Sequence, residues 1–493
     1  MLTYDLSRRD GAALYDYLYR CIRCDIEQGA IAFNQKLPSK RSLAEHLGVS
    51  LVTVEGAYAQ LVAEGYVRAV PRTGYFAEAL PAMPSADDLR ESADAGRDSC
   101  PNGPGTGDKR VEGDFSERIR DDRYDKESRS APFEARTARV WARAVRRELA
   151  LLQDAGLSRA MPHQGSPRLR RAIARHLRRF RGMDVDPARV VVGAGAQVLY
   201  NLLVQLAGRD RIYAVEDPGY PLLSRLYEAN EARVAFLPVD ESGMIVEGLR
   251  ACGAHVAHVM PSHQFPTGAI MSVSRRYELL SWAAEDPARI IVEDDYDCEF
   301  RMAGRPVPSL QSIDSTGSVV YANTFSKSLG SDMRIAYMVL PRVLMERFDD
   351  RLGFYSNTVS SLLQDSLARI LETGEFERHA LKLKTAYRTV RDEFIRQIRN
   401  TDLRRFVSFE NMDGGLHFLI ALDRALVVDA DVLSDELFRR CASLRLLSSF
   451  SRKHAYRGGQ VRIVADVSRF SHLDAVSAAR SLERSIEAAR IER

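Results

Sequence analysis

Short apolar runs alternate with helical patterns along most of the chain beyond residue 113. Five of these runs are apolar on both faces and have the length of strands: 189–195, 211–217, 256–262, 289–295 and 318–324. Strands that are buried on both faces and separated by helices are typical of a parallel sheet between helical layers. The pattern therefore predicts an α/β domain over residues 113–493.

A helical pattern with capping residues dominates residues 1–79. Ser39 is placed to cap one helix, and Gly48 can end that helix in the left-handed conformation. Ser42 with Glu45 offers a competing start, because the two residues have the spacing of a capping box. This stretch therefore predicts a short helix that is closed by a tight turn.

A second helix is predicted directly after Ser50, which can cap it. Its apolar positions follow the helical spacing and form one face: Val54, Ala57, Tyr58, Leu61 and Val62. The first turn, residues 51–53, is then free to point outward. Residues 66–77 read as two short strands around the turn 71–74, so the pattern predicts a helix–turn–helix with a wing.

Residues 80–112 separate the two patterns and are rich in Pro, Gly, Ser and charge. Such a composition predicts a flexible linker. The expected domains are thus 1–79, the linker 80–112 and 113–493.

Composition adds little to this picture. The 493 residues are 45% hydrophobic and 28% charged with a net charge of +3, as in an ordinary globular protein. No apolar run approaches the ~20 residues that span a bilayer, and the first residues lack the layout of a secretory signal. We expect a cytoplasmic protein without membrane contact.

Cys21 and Cys24 lie in an apolar helical pattern, which favours core packing over a zinc or redox site.

The helix–turn–helix with its wing is a geometry that docks on DNA, with the second helix in the major groove and the wing on the backbone. Residues 1–79 carry nine Lys/Arg and nine Asp/Glu, which leaves a helical interaction module as the alternative. Several cations nevertheless fall where phosphates would lie. The candidate contacts to double-stranded DNA are Ser39, Lys40, Arg41, Ser50, Leu51, Val52, Thr53, Arg72, Thr73 and Gly74.

The run from Leu37 to Val54 resembles the GntR-type winged helix, whose members carry the pattern LPS-x-R-x-LA-x-x-LGVS-x-x-TV. The match spans nearly all of residues 1–79. The resemblance implies a DNA-binding domain of that family.

One lysine suggests chemistry in the second domain. Lys327 follows the last of the five predicted strands, with Arg334 seven residues later, and Asp294 and Tyr296 lie at the end of the preceding strand. A carboxylate at the end of a buried strand is costly unless it meets a positive partner. A lysine Schiff base, an aspartate at a pyridinium nitrogen, a tyrosine at a phenolic oxygen and an arginine at a phosphate together describe pyridoxal 5′-phosphate, PLP.

Two further stretches fit the same cofactor. The backbone N–H groups of Ala196 and Gln197, after the turn Gly193–Gly195, could hold a phosphate at a helix N-terminus, although a simple tight turn explains the glycines equally well. Tyr220 follows another strand, where its ring could lie near the cofactor or pack in the core.

The motifs EDPGY, PSHQFPTG, EDDYD-x-EF and TFSK resemble the fold-type I aminotransferases and, joined to a GntR-like head, the MocR/GabR transcriptional regulators. The resemblance covers about residues 11–480 apart from the linker. It implies an α/β fold with a winged helix-turn-helix and a large PLP-dependent aminotransferase-like domain. It also implies Lys327 as the Schiff-base lysine, Asp294 at the ring nitrogen, Tyr296 at the phenolic oxygen, and Thr324 with Arg334 at the phosphate.

Two positions depart from related patterns. Phe265 stands where aminotransferases usually have an asparagine, which favours a sensor over a fast enzyme. Leu222 stands where the GABA-sensing member of the family has an arginine, so a GABA-like clamp is not expected. Arg462 matches the aminotransferase arginine that grips a carboxylate and is the candidate effector-binding residue, with Arg445 and Arg452 as competitors.

The expected protein is a PLP-dependent regulator, a head-to-tail homodimer that senses a small amino compound as its external aldimine and changes its binding to an operator. One alternative is a working aminotransferase with an accessory winged helix. Another is a repressor whose aminotransferase-like domain only dimerises. A residual aminotransferase half-reaction is compatible with the first reading. No metal is expected.

Overall fold

The computed structural model describes residues 2–5, 13–70, 73–78, 134–155, 161–302, 307–441, 443–454, 460–470 and 472–491. The predicted linker 80–112 and its boundary at residue 113 lie outside these residues. The described chain forms an N-terminal winged helix, a large mixed α/β layer and a C-terminal sheet packed on helices.

The winged helix has the predicted elements. Its helices are α1 (Leu14–Glu27), α2 (Lys40–Leu47) and α3 (Leu51–Glu64), and its wing consists of the antiparallel strands β1 (Val67–Val70) and β2 (Gly74–Ala77). The Ser39 hydroxyl accepts the N–H of Ser42, so α2 starts at Ser39 and not at the competing capping box. Gly48 is left-handed (φ 63°), as predicted.

The core of the winged helix extends into the second domain. The predicted face of α3 is buried from Val54 to Leu61 and packs on α1. The same apolar cluster contains Val273 and Val307, which belong to the aminotransferase-like part of the chain. The two domains therefore share buried apolar surface.

The large sheet has eight strands in the order β3-β10-β9-β8-β7-β4-β5-β6. Their bounds are β3 (Val190–Gly193), β4 (Ile212–Asp217), β5 (Arg233–Asp240), β6 (Gly243–Met244), β7 (Val256–Val259), β8 (Ile290–Asp294), β9 (Val319–Thr324) and β10 (Ala336–Val339). The five predicted strands are all present. The sheet is mixed and not parallel throughout, because β10 runs antiparallel to β3 and β9, and β6 runs antiparallel to β5.

Helices cover both faces of this sheet, as expected for strands that are apolar on both sides. Val190 and Val192 of β3 pack in one core and Val191 packs in the core of the opposite face. The surrounding helices are α4 (Glu134–Ala155), α5 (Pro167–Arg181), α6 (Ala196–Ala207), α7 (Pro221–Ala229), α8 (Glu247–Ala251), α9 (Val273–Ala284), α10 (Leu310–Ile313), α11 (Ser326–Leu329), α12 (Arg342–Leu352), α13 (Ser361–Glu372) and α14 (Glu375–Arg399).

A second, antiparallel sheet was not predicted from the sequence. Its strands, in the order β11-β12-β14-β13, are β11 (Val407–Glu410), β12 (His417–Leu422), β13 (Leu444–Leu446) and β14 (Arg462–Asp466). One face packs on α14, α15 (Ala430–Arg440) and α16 (His472–Ala489) through a large apolar cluster. On the other face, Leu419 and Val464 contact Val239 of the large sheet. A cleft lined by Tyr220, Phe236, Phe450 and Arg452 lies where the two sheets meet.

Strand register collects polar residues at one edge of the large sheet. Asp294, which ends β8, pairs with Ala322 of β9, and Thr324, which ends β9, pairs with Ala336 of β10. Ala336 also pairs with Gly193, the last residue of β3. The carboxyl ends of these strands are where open α/β sheets usually bind ligands.

Candidate cofactor site and DNA-binding surface

Lys327 lies on α11, the one-turn helix that follows β9 at this edge. The next two carbonyls are fixed from neighbouring helices: the Ser328 carbonyl accepts from His379 Nε2 at 3.0 Å, and the Leu329 carbonyl accepts from Trp141 Nε1 at 2.8 Å. The Lys327 side chain is exposed in the single chain. The structure thus holds the backbone firmly while leaving the amine accessible.

Asp294 and Tyr296 lie at the end of the adjacent strand. Asp294 is 8% exposed, and its Oδ2 lies 3.7 Å from Nε2 of His258. The Tyr296 hydroxyl donates to the His263 carbonyl at 3.1 Å. Burial, and then the charge of Asp297, raises the pKa of Tyr296 well above its usual value, so its hydroxyl keeps the proton and acts as a donor.

A candidate anion cradle lies where the start of α6 meets Arg334. Ala196 and Gln197 begin α6, a 12-residue helix whose first residue follows Gly195 (φ 91°) without a side-chain cap. A Cβ at Gly195 would fall 2.7 Å from Nη2 of Arg334, so only glycine lets the guanidinium lie against this helix start. The glycine turn is therefore more than a tight connection, because a free helix N-terminus and an arginine converge there.

The hydroxyls of Thr324 and Ser326 lie near the same helix start. Thr324 Oγ1 lies 2.8 Å from Ser326 Oγ and accepts the N–H of Ser326 at 3.2 Å. The pairing of Thr324 and Gly193 with Ala336 brings these groups beside the start of α6. Of the predicted phosphate ligands, the structure places Thr324, Ala196, Gln197 and Arg334 together.

Aromatic rings lie in and beside the cleft that Tyr220, Phe450 and Arg452 line. The Tyr220 ring is edge-on to Phe265 at 5.7 Å, and Phe265 is edge-on to His417 at 5.2 Å and to Phe450 at 5.3 Å. Tyr220 is 42% exposed, so the core-packing alternative for this residue is wrong. Phe265 gives the cleft an apolar ring at a position that cannot donate a hydrogen bond.

The sequence analysis missed a buried cluster of His263, Asp297 and His417. His263 Nδ1 lies 2.8 Å from Asp297 Oδ2, and its Nε2 lies 3.2 Å from the His417 carbonyl. Burial, and then the neighbouring His263, lowers the pKa of His417 well below its usual value, with the Lys327 charge as a further cause. The potential ligand atoms lie within 4.8 Å of one another, but the hydrogen bonds of His263 already engage both its ring nitrogens. We therefore interpret the cluster as a hydrogen-bonded support for Tyr296.

The three arginines considered for an acidic effector have different surroundings. Arg462 is on β14, where its Nε lies 3.1 Å from Glu410 Oε2 and its Nη2 lies 3.1 Å from Gln460 Oε1. Arg452 lines the cleft beside Tyr220 and Phe450. Arg445 lies 6.0 Å from the Phe438 ring. Of the three, Arg452 lies in the cavity that Tyr220 lines, and Arg462 has a carboxylate and an amide as neighbours.

The predicted recognition surface is exposed on the winged helix. Leu51 and Val52 are 38% and 74% exposed, and the Ser50 hydroxyl accepts the N–H of Thr53 at 3.2 Å. An apolar pair that the fold leaves in water at the start of a helix suits contact with base edges, including thymine methyl groups.

The predicted phosphate contacts surround this helix. Lys40 Nζ forms an ion pair with Glu55 Oε1 at 3.1 Å, and Ser39 and Arg41 are exposed beside it. Thr73 and Gly74 lie in the wing, with the Thr73 N–H donating to the Val70 carbonyl at 3.0 Å. Arg72 lies outside the described residues.

Family comparisons match both halves of this architecture. Residues 130–441 match the family described as Aminotransferase class I and II, and residues 14–76 match Bacterial regulatory proteins, gntR family. The regulator YdeL of Bacillus subtilis is 35% identical over 427 residues, which cover 85% of this chain and 86% of YdeL. The chain also matches MocR of Rhizobium meliloti, a probable rhizopine catabolism regulatory protein, with 32% identity over 85% of this chain and 84% of MocR. The chain belongs to the MocR-type transcriptional regulators, as predicted.

Solved structures give the fold of the larger domain of this MocR-type regulator. An archaeal alanine:glyoxylate aminotransferase superposes with a TM-score of 0.60 at 22% identity, over 71% of this chain and 86% of the enzyme. A kynurenine aminotransferase of Pyrococcus horikoshii gives a TM-score of 0.59 at 22% identity, over 70% of this chain and 87% of the enzyme. The fold-type I aminotransferase prediction is confirmed. In the described residues, no helix has the length and apolar character needed to cross a bilayer.

Proposed function

We propose that this MocR-type regulator binds PLP through Lys327, binds an operator through its winged helix as a homodimer, and alters that binding when a small amine takes the place of Lys327 on the cofactor. The observation that carries the proposal is the convergence of Lys327, Asp294, Tyr296 and Arg334 at one sheet edge, within a chain that also holds an exposed recognition helix.

The donor set fits PLP in chemical kind. The free start of α6 with Arg334 suits a phosphate dianion, and Asp294 suits a protonated pyridine nitrogen. The protonated Tyr296 hydroxyl suits a phenolate oxygen, toward which it would turn its proton from the His263 carbonyl. When bound, PLP supplies an aldehyde that condenses with primary amines and a ring that withdraws electrons. The protein's part is to present the Lys327 amine, hold the phosphate and orient the ring.

Sensing is favoured over turnover by two features. Phe265 removes a hydrogen-bond donor that aminotransferases usually offer to the ring oxygen, and the recognition helix gives the site an output other than chemistry.

An effector that carries an acidic group besides its amine would meet Arg452 in the cleft or Arg462, the sequence-predicted clamp. The proposed homodimer would place a second copy of the chain against the exposed Lys327 and Arg334.

The test begins with borohydride reduction of purified protein that has been incubated with PLP. The wild type should retain covalently fixed cofactor, and Lys327→Ala should lose it while keeping its thermal unfolding midpoint. Lys453→Ala is the matched control, because Lys453 is a second lysine near the cleft whose ammonium lies over the Phe236 ring instead. Fixed cofactor in Lys327→Ala would rule out this anchor.

Regulation is tested with a duplex that the wild type selects from a random library. A panel of primary amines with carboxylate or sulfonate groups should contain at least one that changes the affinity of the wild type for this duplex. The change should be absent in Lys327→Ala, with little keto acid formed over hours. Rapid transamination with DNA binding indifferent to every amine would favour the aminotransferase alternative.

A further inference from the structure

His258 lies beside Asp294, on the neighbouring strand β7. It is the third residue of β7, is almost fully buried, and its Nε2 lies 3.7 Å from Asp294 Oδ2. In the described residues this nitrogen is buried and has no hydrogen-bond partner. A buried imidazole nitrogen that faces only a carboxylate needs an explanation, because an unpaired buried polar group is costly.

The other ring nitrogen of His258 has a strong partner. The Tyr227 hydroxyl, from α7, lies 2.6 Å from His258 Nδ1 in a buried position. Burial raises the pKa of Tyr227 well above its usual value, so the phenol keeps its proton and can donate it in this hydrogen bond. The ring of Tyr200 packs edge-on against the imidazole at 4.8 Å, and burial, followed by the charge of Asp294, raises the pKa of Tyr200 well above its usual value, so its phenol is a second neutral group beside this carboxylate.

These contacts select one tautomer. With the Tyr227 O–H donated into Nδ1, the proton of the neutral imidazole must sit on Nε2, where it points toward the Asp294 carboxylate. The opposite tautomer would turn a lone pair on Nε2 toward an anion and is disfavoured. Asp294 therefore has an N–H directed at its carboxylate from β7.

We infer that Tyr227 and His258 are positioning residues that hold Asp294 ionised and oriented toward the ring nitrogen of PLP, an inference that rests on the proposed function. The three side chains come from α7, β7 and β8, and we call them the Tyr227–His258–Asp294 relay. The relay acts by directing an N–H dipole at the charged carboxylate from 3.7 Å, an electrostatic stabilisation that outer groups also give to metal-bound histidines. A well-stabilised carboxylate keeps the pyridine nitrogen protonated.

The experiment compares variants of the full-length protein loaded with PLP labelled with ¹⁵N in the ring. His258→Phe removes the donor and keeps an aromatic ring, whereas His258→Gln restores an N–H close to the position of Nε2. Tyr227→Phe removes only the hydroxyl that fixes the tautomer. Tyr213→Phe is the matched control, because the Tyr213 ring packs on Tyr227 at 4.5 Å but its hydroxyl donates to the Gly208 carbonyl.

The wild type and Tyr213→Phe should give the ¹⁵N shift of a protonated pyridine. His258→Phe should move that shift toward the unprotonated value and weaken PLP binding by up to about tenfold, the factor that corresponds to one pKa unit of stabilisation of the carboxylate. Tyr227→Phe should move it part of the way, and His258→Gln should restore the wild-type value.

Two results would overturn the relay. One is an unchanged shift in His258→Phe. If that variant does not fold, an unchanged shift in Tyr227→Phe has the same force. A wild type that binds no PLP would instead refute the proposed function, so the two failures are distinguishable.

Discussion

The carboxylate of Asp217 accepts the backbone N–H of Lys453 at 2.6 Å. The same carboxylate accepts the N–H groups of Arg452 and His454, each at 2.8 Å, so three consecutive amides of the C-terminal sheet region converge on one side chain. Asp217 ends β4 and is buried. Consecutive amides that point at one anion form a strong local anion site. The contact fastens the C-terminal sheet region to the large sheet beside Tyr220.

Replacing the Asp217 carboxylate should weaken the attachment of the C-terminal sheet region to the large sheet. In Asp217→Asn one of the two oxygens becomes an N–H₂ group that faces amide donors, so at least one charge-assisted hydrogen bond is lost, at a cost of about 2–3 kcal/mol. We expect a lower thermal unfolding midpoint than in Asp210→Asn, an exposed carboxylate that precedes β4 at its other end. Equal midpoints in the two variants would show that the contact contributes nothing to stability.

The ion pair of Lys40 with Glu55 should compete with DNA. A cation paired at 3.1 Å must leave its carboxylate to neutralise a phosphate, so Glu55→Gln should strengthen binding to duplexes of any sequence. The slope of log affinity against log salt should steepen by up to about one unit. Glu45→Gln makes the same charge change on an exposed residue of α2 that has no ion pair among the described residues, and it separates the local effect from that of net charge. Identical salt slopes for the two variants would exclude Lys40 as a phosphate contact.

Val52 should affect which sequence is bound and leave stability unchanged. Its side chain is 74% exposed at the start of α3, so Val52→Ala should shift the unfolding free energy by no more than about 0.5 kcal/mol. Selection from a random duplex library should nevertheless give a different preferred sequence, because apolar contacts to thymine methyl groups depend on this side chain. An unchanged preference would place the recognition residues elsewhere on the winged helix.

The winged helix could be predicted closely because its signals are local. Ser39, Ser50 and Gly48 determine where helices start and end within a few residues, through hydrogen bonds and backbone conformation that the sequence shows directly. The helix does not start at the competing capping box, because the Ser39 hydroxyl accepts the Ser42 N–H and caps the helix there.

Features that depend on distant pairing were missed. The run Ala336–Val339 is apolar, but nothing within it indicates that it inserts antiparallel between β3 and β9. His258 was not singled out because a lone histidine in an apolar strand usually belongs to the core, and only the fold brings Tyr227 and Asp294 to its two nitrogens. Arg462 matches a carboxylate clamp by sequence, yet the register of β11, β12 and β14 gives it Glu410 as a neighbour.

Glu299 should make stability fall as the pH rises. Burial, with Asp295 and Asp297 as further causes, raises the pKa of its carboxyl to about 8, above the value of an unfolded chain. The folded protein therefore holds a proton that the unfolded chain has lost, and this contribution, complete below pH 4.5, disappears as the pH rises through 8. Between those values one proton changes the unfolding free energy by about 1.4 kcal/mol per pH unit. Glu299→Gln should lack this dependence of the unfolding free energy on pH. The thermal midpoint of the variant minus that of the wild type should therefore increase from pH 6 to pH 8.5. A constant difference would show that Glu299 is ionised in the fold.

The final prediction concerns how the effector domain reaches the DNA-binding head. Val273, 1% exposed at the first position of α9, packs in the apolar core of the winged helix, and the backbone of Gly65 lies against Ser272 and Val273. An aspartate at the start of a helix is favourable for the helix itself, so the cost of Val273→Asp should fall on the contact between the domains. Val343→Asp is the matched control, because Val343 lies in the first turn of α12 but is 59% exposed.

We expect Val273→Asp to bind PLP and the selected duplex while losing the change in DNA affinity caused by the most effective amine of the panel. A ligand can shift a conformational equilibrium only through contacts that differ between its states, and undocking the head removes the contact through which the cleft could act on it. DNA affinity is measured with and without that amine in both variants. If Val273→Asp keeps the wild-type ratio of the two affinities, the signal does not pass through this surface.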